Sequence, residues 1–120
     1  MTKRRVVAGC RDFCDYKIAK KYIDFCISDI KKKYNLIFIS GGCRGADLLG
    51  ERYAKENGFE FKIYPANWEK YGKSAGPIRN RQMAADCDYL ICFWDGKSPG
   101  TKSMIHFAKQ SNIPTRIKII

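Results

Sequence analysis

The chain has 120 residues, the length of one domain, and 23 basic against 12 acidic side chains give it a formal charge of +11. Hydrophobic residues at 45% and aromatics at 13% exclude a disordered chain, and no apolar run approaches the roughly 20 residues that span a bilayer. The basic start MTKRRVVAG carries an apolar run too short for a signal peptide, so the expected location is the cytoplasm and the expected organisation one domain over residues 1–120.

Apolar and amphipathic runs alternate from start to end. A first buried strand is expected over Arg5–Ala8. Residues 15–34 read as a helix, with Ile18, Tyr22, Cys26 and Ile30 recurring every four positions and Ala19, Ile23 and Ile27 widening the stripe. Asp15 is its expected N-cap, and Lys31 to Lys33 suit the negative end of its dipole. NLIFIS (residues 35–40) is apolar on both faces, as expected of a central parallel strand covered by helices.

Gly45 to Asn57 reads as the second helix, with Gly58 as its stop and Ala46, Leu49, Tyr53 and Ala54 toward the sheet. FEFKIYP (residues 59–65) alternates and is expected near a sheet edge. Residues 66–76 read as a loop, and Pro77 suits the first turn of a helix running to about Asp86. DYLICFW (residues 88–94) is another apolar strand. After a loop, Ser98 is placed to cap a helix with Pro99 in its first turn, running to about Ser111. PTRIKII (residues 114–120) is the last strand. This alternation predicts an α/β, three-layer Rossmann-like fold with a mostly parallel five-stranded sheet.

The six cysteines fall largely inside apolar segments and read as free thiols used as small hydrophobes. The C-x3-C spacing of Cys10 and Cys14 has no second pair and no nearby histidine, so no metal site is expected. The net charge favours anionic partners without choosing between a nucleotide and a polymer.

Ligands of parallel α/β sheets sit outside the carboxyl ends of the strands. The segments that follow the strands here are GCRDF, SGGCRGAD, PANW and WDGKSPGT, whereas the opposite connections are ordinary turns. In the second segment Ser40, Gly41 and Gly42 allow a tight turn, Gly45 opens a helix whose amides attract anions, and Arg44 can grip a phosphate. Asp47 stands in that helix's first turn, where an acidic residue also helps the dipole. In the fourth segment Gly96 and Gly100 supply flexibility, Ser98 and Thr101 supply donors, and Lys97 brings charge. Neither segment is a P-loop or a G-x-G-x-x-G turn. Arg79 and Asn80 open a helix where a basic residue opposes the dipole, so Arg79 reads either as an anion contact or as a surface arginine. Trp68 and Trp94 lie at or beyond strand ends, where an indole either closes the core or stacks on a base.

Taken in order, the elements G-x-R, G-G-x-R-G-A-D, P-A-x-W, A-G-x-x-R-N and W-D-G-x-S-x-G-T resemble the small YspA-like branch of the SLOG superfamily over about Val6 to Ile119. That superfamily also holds DprA (Smf) and the LOG-type phosphoribohydrolases. The resemblance implies a Rossmann-like fold and a nucleotide or nucleotide-derived ligand. It places Gly9, Arg11, Trp94 and Asp95 with the residues above in the binding site, Asp12 at its rim, and pairs Arg79 and Met83 with the LOG R-x-x-x-M positions. Met104 stands where a LOG enzyme carries its catalytic glutamate. The expected function is therefore nucleotide binding through two glycine-containing phosphate cradles, with no cofactor. The alternatives are LOG-like hydrolysis of an N-glycosidic bond and DprA-like binding of single-stranded nucleic acid. A homodimer is implied by analogy with related folds alone.

Overall fold

The structure, a computed structural model, describes residues 2–120. The five strands are β1 (Thr2–Gly9), β2 (Asn35–Ser40), β3 (Glu60–Ile63), β4 (Tyr89–Trp94) and β5 (Thr115–Ile119). They pair in parallel throughout, in the order β3-β2-β1-β4-β5. On one face lie α1 (Tyr16–Ile27) and α2 (Ala46–Glu56), packed on Val7, Phe38, Ile91 and Phe93. On the other lie α4 (Ala75–Asp86) and α5 (Pro99–Gln110), packed on Val6, Ile39, Leu90 and Cys92. Alternate residues of each strand therefore serve opposite layers, and the α/β three-layer expectation is met with every strand parallel. Among the described residues no helix is long and apolar enough to cross a membrane.

Several boundaries differ from the sequence reading. β1 begins at Thr2 rather than Arg5, because Thr2, Lys3 and Arg4 pair with Asn35, Leu36 and Ile37 although their side chains are polar. A ladder of backbone bonds, not burial, sets that boundary. α1 ends at Ile27, seven residues early. The Ser28 hydroxyl donates to the Phe25 carbonyl, and residues 30–34 form turns that bond back to Ile27 and Ile30. Lys31 to Lys33 consequently lie beyond the last helical turn. Asp15 caps α1 as expected, accepting from the Ile18 amide at 3.2 Å. The buried spine is Ala19, Ile23 and Ile27, while Ile18 faces solvent.

The α2 reading holds for all four sheet-facing residues. A fifth, Gly50, lies against Val7, where a Cβ would stand 2.6 Å from the Val7 Cβ, so the helix sits close on the strand because a side chain is missing. β3 is one of the two exposed edges and shorter than expected: the Phe59 amide already bonds to the Ala54 carbonyl in the last turn of α2. The expected loop 66–76 instead holds a short helix, α3 (Trp68–Tyr71), capped by Asn67, and a 3-10 turn over Gly72–Ser74. That turn runs straight into α4, which starts at Ala75, two residues before Pro77. Pro77 still lies in the first turn, where its missing amide has no intrahelical partner to lose. β5 ends one residue short of the C-terminal Ile120.

Candidate functional site

The chain runs from β1 outward to β2 and β3, then returns across the sheet to β4 beside β1. The order of strands reverses between β1 and β4, and their carboxyl ends open on a crevice of about 670 Å³. Its walls are the loop after β1, the turn before α2, the inner face of α4 and the first turn of α5. The sequence-predicted residues Gly9, Arg11, Arg44, Asp47, Arg79 and Asn80 line it. So do Asp95, Ser98, Gly100 and Thr101 from the β4–α5 side. Ser40, Gly41, Gly42, Gly45, Trp94, Gly96 and Lys97 are not part of this lining.

These residues make several bonds within the protein. Ser40 Oγ accepts the Gly42 amide at 3.0 Å and lies 2.6 Å from Glu51 Oε2. The Cys43 amide donates to Asp47 Oδ2 at 3.3 Å, and the same carboxylate lies close to Gly41. The Ala46 amide, first of α2, donates to the Cys10 carbonyl at 3.2 Å. The turn thus spends its Gly42, Cys43 and Ala46 amides on protein acceptors, while the Arg44 and Gly45 amides have no acceptor among the described residues. Within the first turn of α2, the Asp47 and Leu48 amides have no acceptor among the described residues.

Arg79 holds the same turn from the opposite wall. Its Nη1 donates to the Gly41 carbonyl at 2.6 Å, its Nε to Asn80 Oδ1 at 3.0 Å, and its Nη2 lies 3.7 Å from Cys43 Sγ. This explains a basic residue near a helix start: the buried guanidinium ties α4 to the turn across the crevice. Asn80 Nδ2 in turn donates to the Gly100 carbonyl at 3.3 Å, linking α4 to α5.

Asp47 is buried beneath this bridge. Burial pushes its carboxyl up to about 6, Glu51 pushes the same way, and the Cys43 and Gly41 amides with the Arg79 guanidinium restrain the rise. Ionising such a group inside the fold costs roughly 3 kcal/mol at neutral pH relative to the unfolded chain. The sign follows from proton counting. Between about pH 4 and 6 the folded chain binds more protons at Asp47 than the unfolded chain, so stability falls as pH rises. Wild-type stability, read from urea melts and referred to Asp47→Asn, is expected to drop by up to roughly 3 kcal/mol from pH 4 to 7. Parallel curves for the two proteins would refute this assignment.

The β4–α5 loop is organised by Asp95. Its carboxylate accepts the Lys97 and Ser98 amides, both at 2.8 Å, and these bonds hold it down at about 2. Ser98 does not cap α5 through its side chain as expected. Its hydroxyl bonds instead to Asp95 Oδ2 and lies 3.2 Å from Cys10 Sγ, joining the loops after β4 and β1. Pro99 has no amide to offer, and the Lys102 amide bonds to the Ser98 carbonyl. The Gly100 and Thr101 amides bond to no acceptor among the described residues. They form the unsatisfied positive end of a three-turn helix facing the crevice. Nothing crowds Gly100: a Cβ built there meets no atom within 4 Å.

Trp94, expected at the ligand, is half-buried and does not line the crevice. It packs against both hydrophobic layers, and its indole N–H donates to the Ser98 carbonyl at 3.2 Å. Trp68 is the exposed indole, and it lines a slot of about 270 Å³ that adjoins the crevice. Reasoning from sequence also left out Cys10, Phe13, Pro99 and Ile120 from the lining. Cys10 and Phe13 had a signal, since both stand in the segment directly after β1; Ile120 had none. Met104 is 1% exposed and forms part of the crevice wall with Met83.

Comparison with known proteins places this geometry. Among solved structures, the chain is similar to DNA processing protein A (DprA) from Streptococcus pneumoniae, with TM-score 0.73 and 18% identity over 98% of this chain and 50% of that one. It spans half the length of DprA. It is also similar to TM1055, with TM-score 0.67 and 18% identity over 96% of this chain and 72% of that one. These likenesses show the Rossmann-like fold. The Gene 61 protein of Mycobacterium phage D29 is 36% identical over 90 residues, covering 70% of this chain and 72% of that protein. Residues 4–71, which include most of β1, the glycine-rich turn and α3, match the model described as YspA, cpYpsA-related SLOG family, and it is to this family that the chain belongs.

Proposed function

We propose that the crevice binds a nucleotide or nucleotide-derived small molecule, with its phosphate at the first turn of α5. The unpaired Gly100 and Thr101 amides carry this reading, because a helix N-terminus with free donors at a topological switch point suits an anion. Arg11 and Arg44, both exposed on the lining, add charge at the mouth; Arg44 lies 3.8 Å from Asp12. Of the two cradles expected, this reading puts the phosphate on the second. The α5 turn receives the phosphate, and the glycine-rich turn acts mainly as a scaffold locked by Asp47 and Arg79. The volume of about 670 Å³ falls within the range of small-molecule sites. Binding rather than hydrolysis is favoured by Met104, a thioether in the wall where the family resemblance implies a catalytic carboxylate.

A thermal-shift panel of nucleotides tests the reading. Ligand at 100 times its dissociation constant is expected to stabilise the chain by about 2.7 kcal/mol. No shift with any nucleotide at millimolar concentration refutes it. Release of free base from a bound nucleotide would move the assignment to an enzyme. Binding that appears only with single-stranded DNA, and weakens steeply with salt, would move it to a nucleic-acid interface.

A further inference from the structure

The slot beside the crevice has a composition of its own. Gly76 and Pro77 of α4 and Pro99 and Gly100 of α5 line it together with the indole of Trp68. Two of these residues lack side chains and two lack backbone donors, so this part of the lining is flat, while Arg11, Arg79, Asn80 and Ser103 supply the polar groups elsewhere on it. Trp68 is 52% exposed, and its indole N–H bonds to nothing among the described residues. Its ring lies along the bare backbone of α4: Cη2 is 3.5 Å from where a Gly76 Cβ would stand. A large aromatic held by a short capped helix, with half its surface exposed beside a cavity, is a platform for a planar group.

The slot is smaller than a whole ligand site, at about 270 Å³. It is continuous with the larger crevice, because Arg11, Arg79, Asn80, Pro99 and Gly100 line both. The shared border therefore contains the free Gly100 amide and the exposed Arg11 guanidinium, which makes no ion pair or hydrogen bond among the described residues. An anionic group bound at that border has open volume on either side.

We propose that the slot is a second subsite that takes a planar ring stacked on Trp68, carried on the far side of the ligand's phosphate. The ligand class is then a nucleotide joined through its phosphate to a second ring-bearing group. This rests on the reading of the crevice as a nucleotide site. The slot recognises its ring by shape and stacking, so it discriminates poorly among planar heterocycles.

The test compares nucleoside 5′-monophosphates with the matching symmetrical dinucleoside 5′,5′-diphosphates by calorimetric titration. The proteins are wild type, Trp68→Ala, Trp68→Leu and Trp68→Phe, each checked by circular dichroism. The dinucleoside diphosphate is expected to bind wild type about 5- to 150-fold tighter than the monophosphate, the range of one base–aromatic stack. Trp68→Ala and Trp68→Leu are expected to lose that gain with the monophosphate affinity unchanged, and Trp68→Phe to keep part of it. Trp68→Leu retains apolar bulk, so a packing role for Trp68 would preserve the gain there and overturn the proposal. An equal gain in all four proteins, or no gain in a wild type that binds monophosphates, overturns the subsite and leaves the crevice reading intact. A wild type that binds neither probe overturns both. Affinity that grows with oligonucleotide length, while the dinucleoside diphosphate gains nothing, overturns the subsite in favour of a strand crossing the slot.

Discussion

Replacing Arg79 with alanine is expected to destabilise the chain by roughly 3 kcal/mol and to weaken ligand binding in the crevice as well. The side chain is buried and donates to the Gly41 carbonyl and Asn80, with Cys43 Sγ near its third nitrogen. Hydrogen bonds from a charged donor contribute more than neutral ones, and their loss leaves the Gly41 carbonyl without this partner. The larger part of the effect is electrostatic. The guanidinium is the cation that eases Asp47 ionisation, so its removal leaves a buried carboxylate facing only amide dipoles and Glu51. The variant should accordingly lose more stability at pH 8 than at pH 4.5. Arg79→Lys keeps the charge but not the forked geometry, and should fall between. Urea melts at the two pH values measure this. A loss below 0.5 kcal/mol, or one independent of pH, would contradict the bridging role.

Gly45→Ala is expected to cost a further sum of about 3 kcal/mol by a wholly steric route. The backbone at Gly45 has φ of 81°, a region that L side chains rarely adopt. A Cβ there would also overlap the carbonyls of Cys10 and Arg11. Relief requires the loop after β1 to separate from the start of α2, which breaks the bond from the Ala46 amide to the Cys10 carbonyl. Hydrogen exchange at Ala46 should accelerate with the loss of stability. If the variant melts within 0.5 kcal/mol of wild type, the two loops are not locked by this contact.

Much of this was legible in the sequence for identifiable reasons. The α2 stripe and the apolar strands read correctly because burial there is continuous and periodic. The gathering of glycines and polar residues at one end of the strands located the crevice, since helix-to-strand turns at the other end need no such residues. The strand order was not legible: alternation of elements leaves open which strand lies beside β1, and that choice creates the crevice. The direction of the amides was hidden too. Asp47 four residues after Cys43 reads as a residue that helps a helix dipole, and only the folded turn shows its carboxylate curled back onto Gly41 and Cys43. Trp68 and Trp94 looked alike, each at or beyond a strand end. Their fates diverge because the β4–α5 loop folds its Ser98 carbonyl over Trp94, whereas α3 holds Trp68 outward.

The two faces of the sheet are made of different materials. Beneath α1 and α2 the buried core contains Phe13, Phe38, Tyr53 and Phe93, whose rings contact one another or Phe59 and Tyr22. Beneath α4 and α5 the buried residues among those described include no aromatic ring; Met83, Met104, Cys87 and Cys92 fill the space with alanines and the aliphatic Val6, Ile39, Leu90 and Ile105. Stacked rings resist rearrangement, while unbranched thioethers change shape at little cost. The crevice thus has one stiff side and one compliant side, and the compliant side carries both methionines that face the cavity. Ligands of unequal girth would be accommodated by give in the α4–α5 layer, while the aromatic layer keeps the loop after β1 in register.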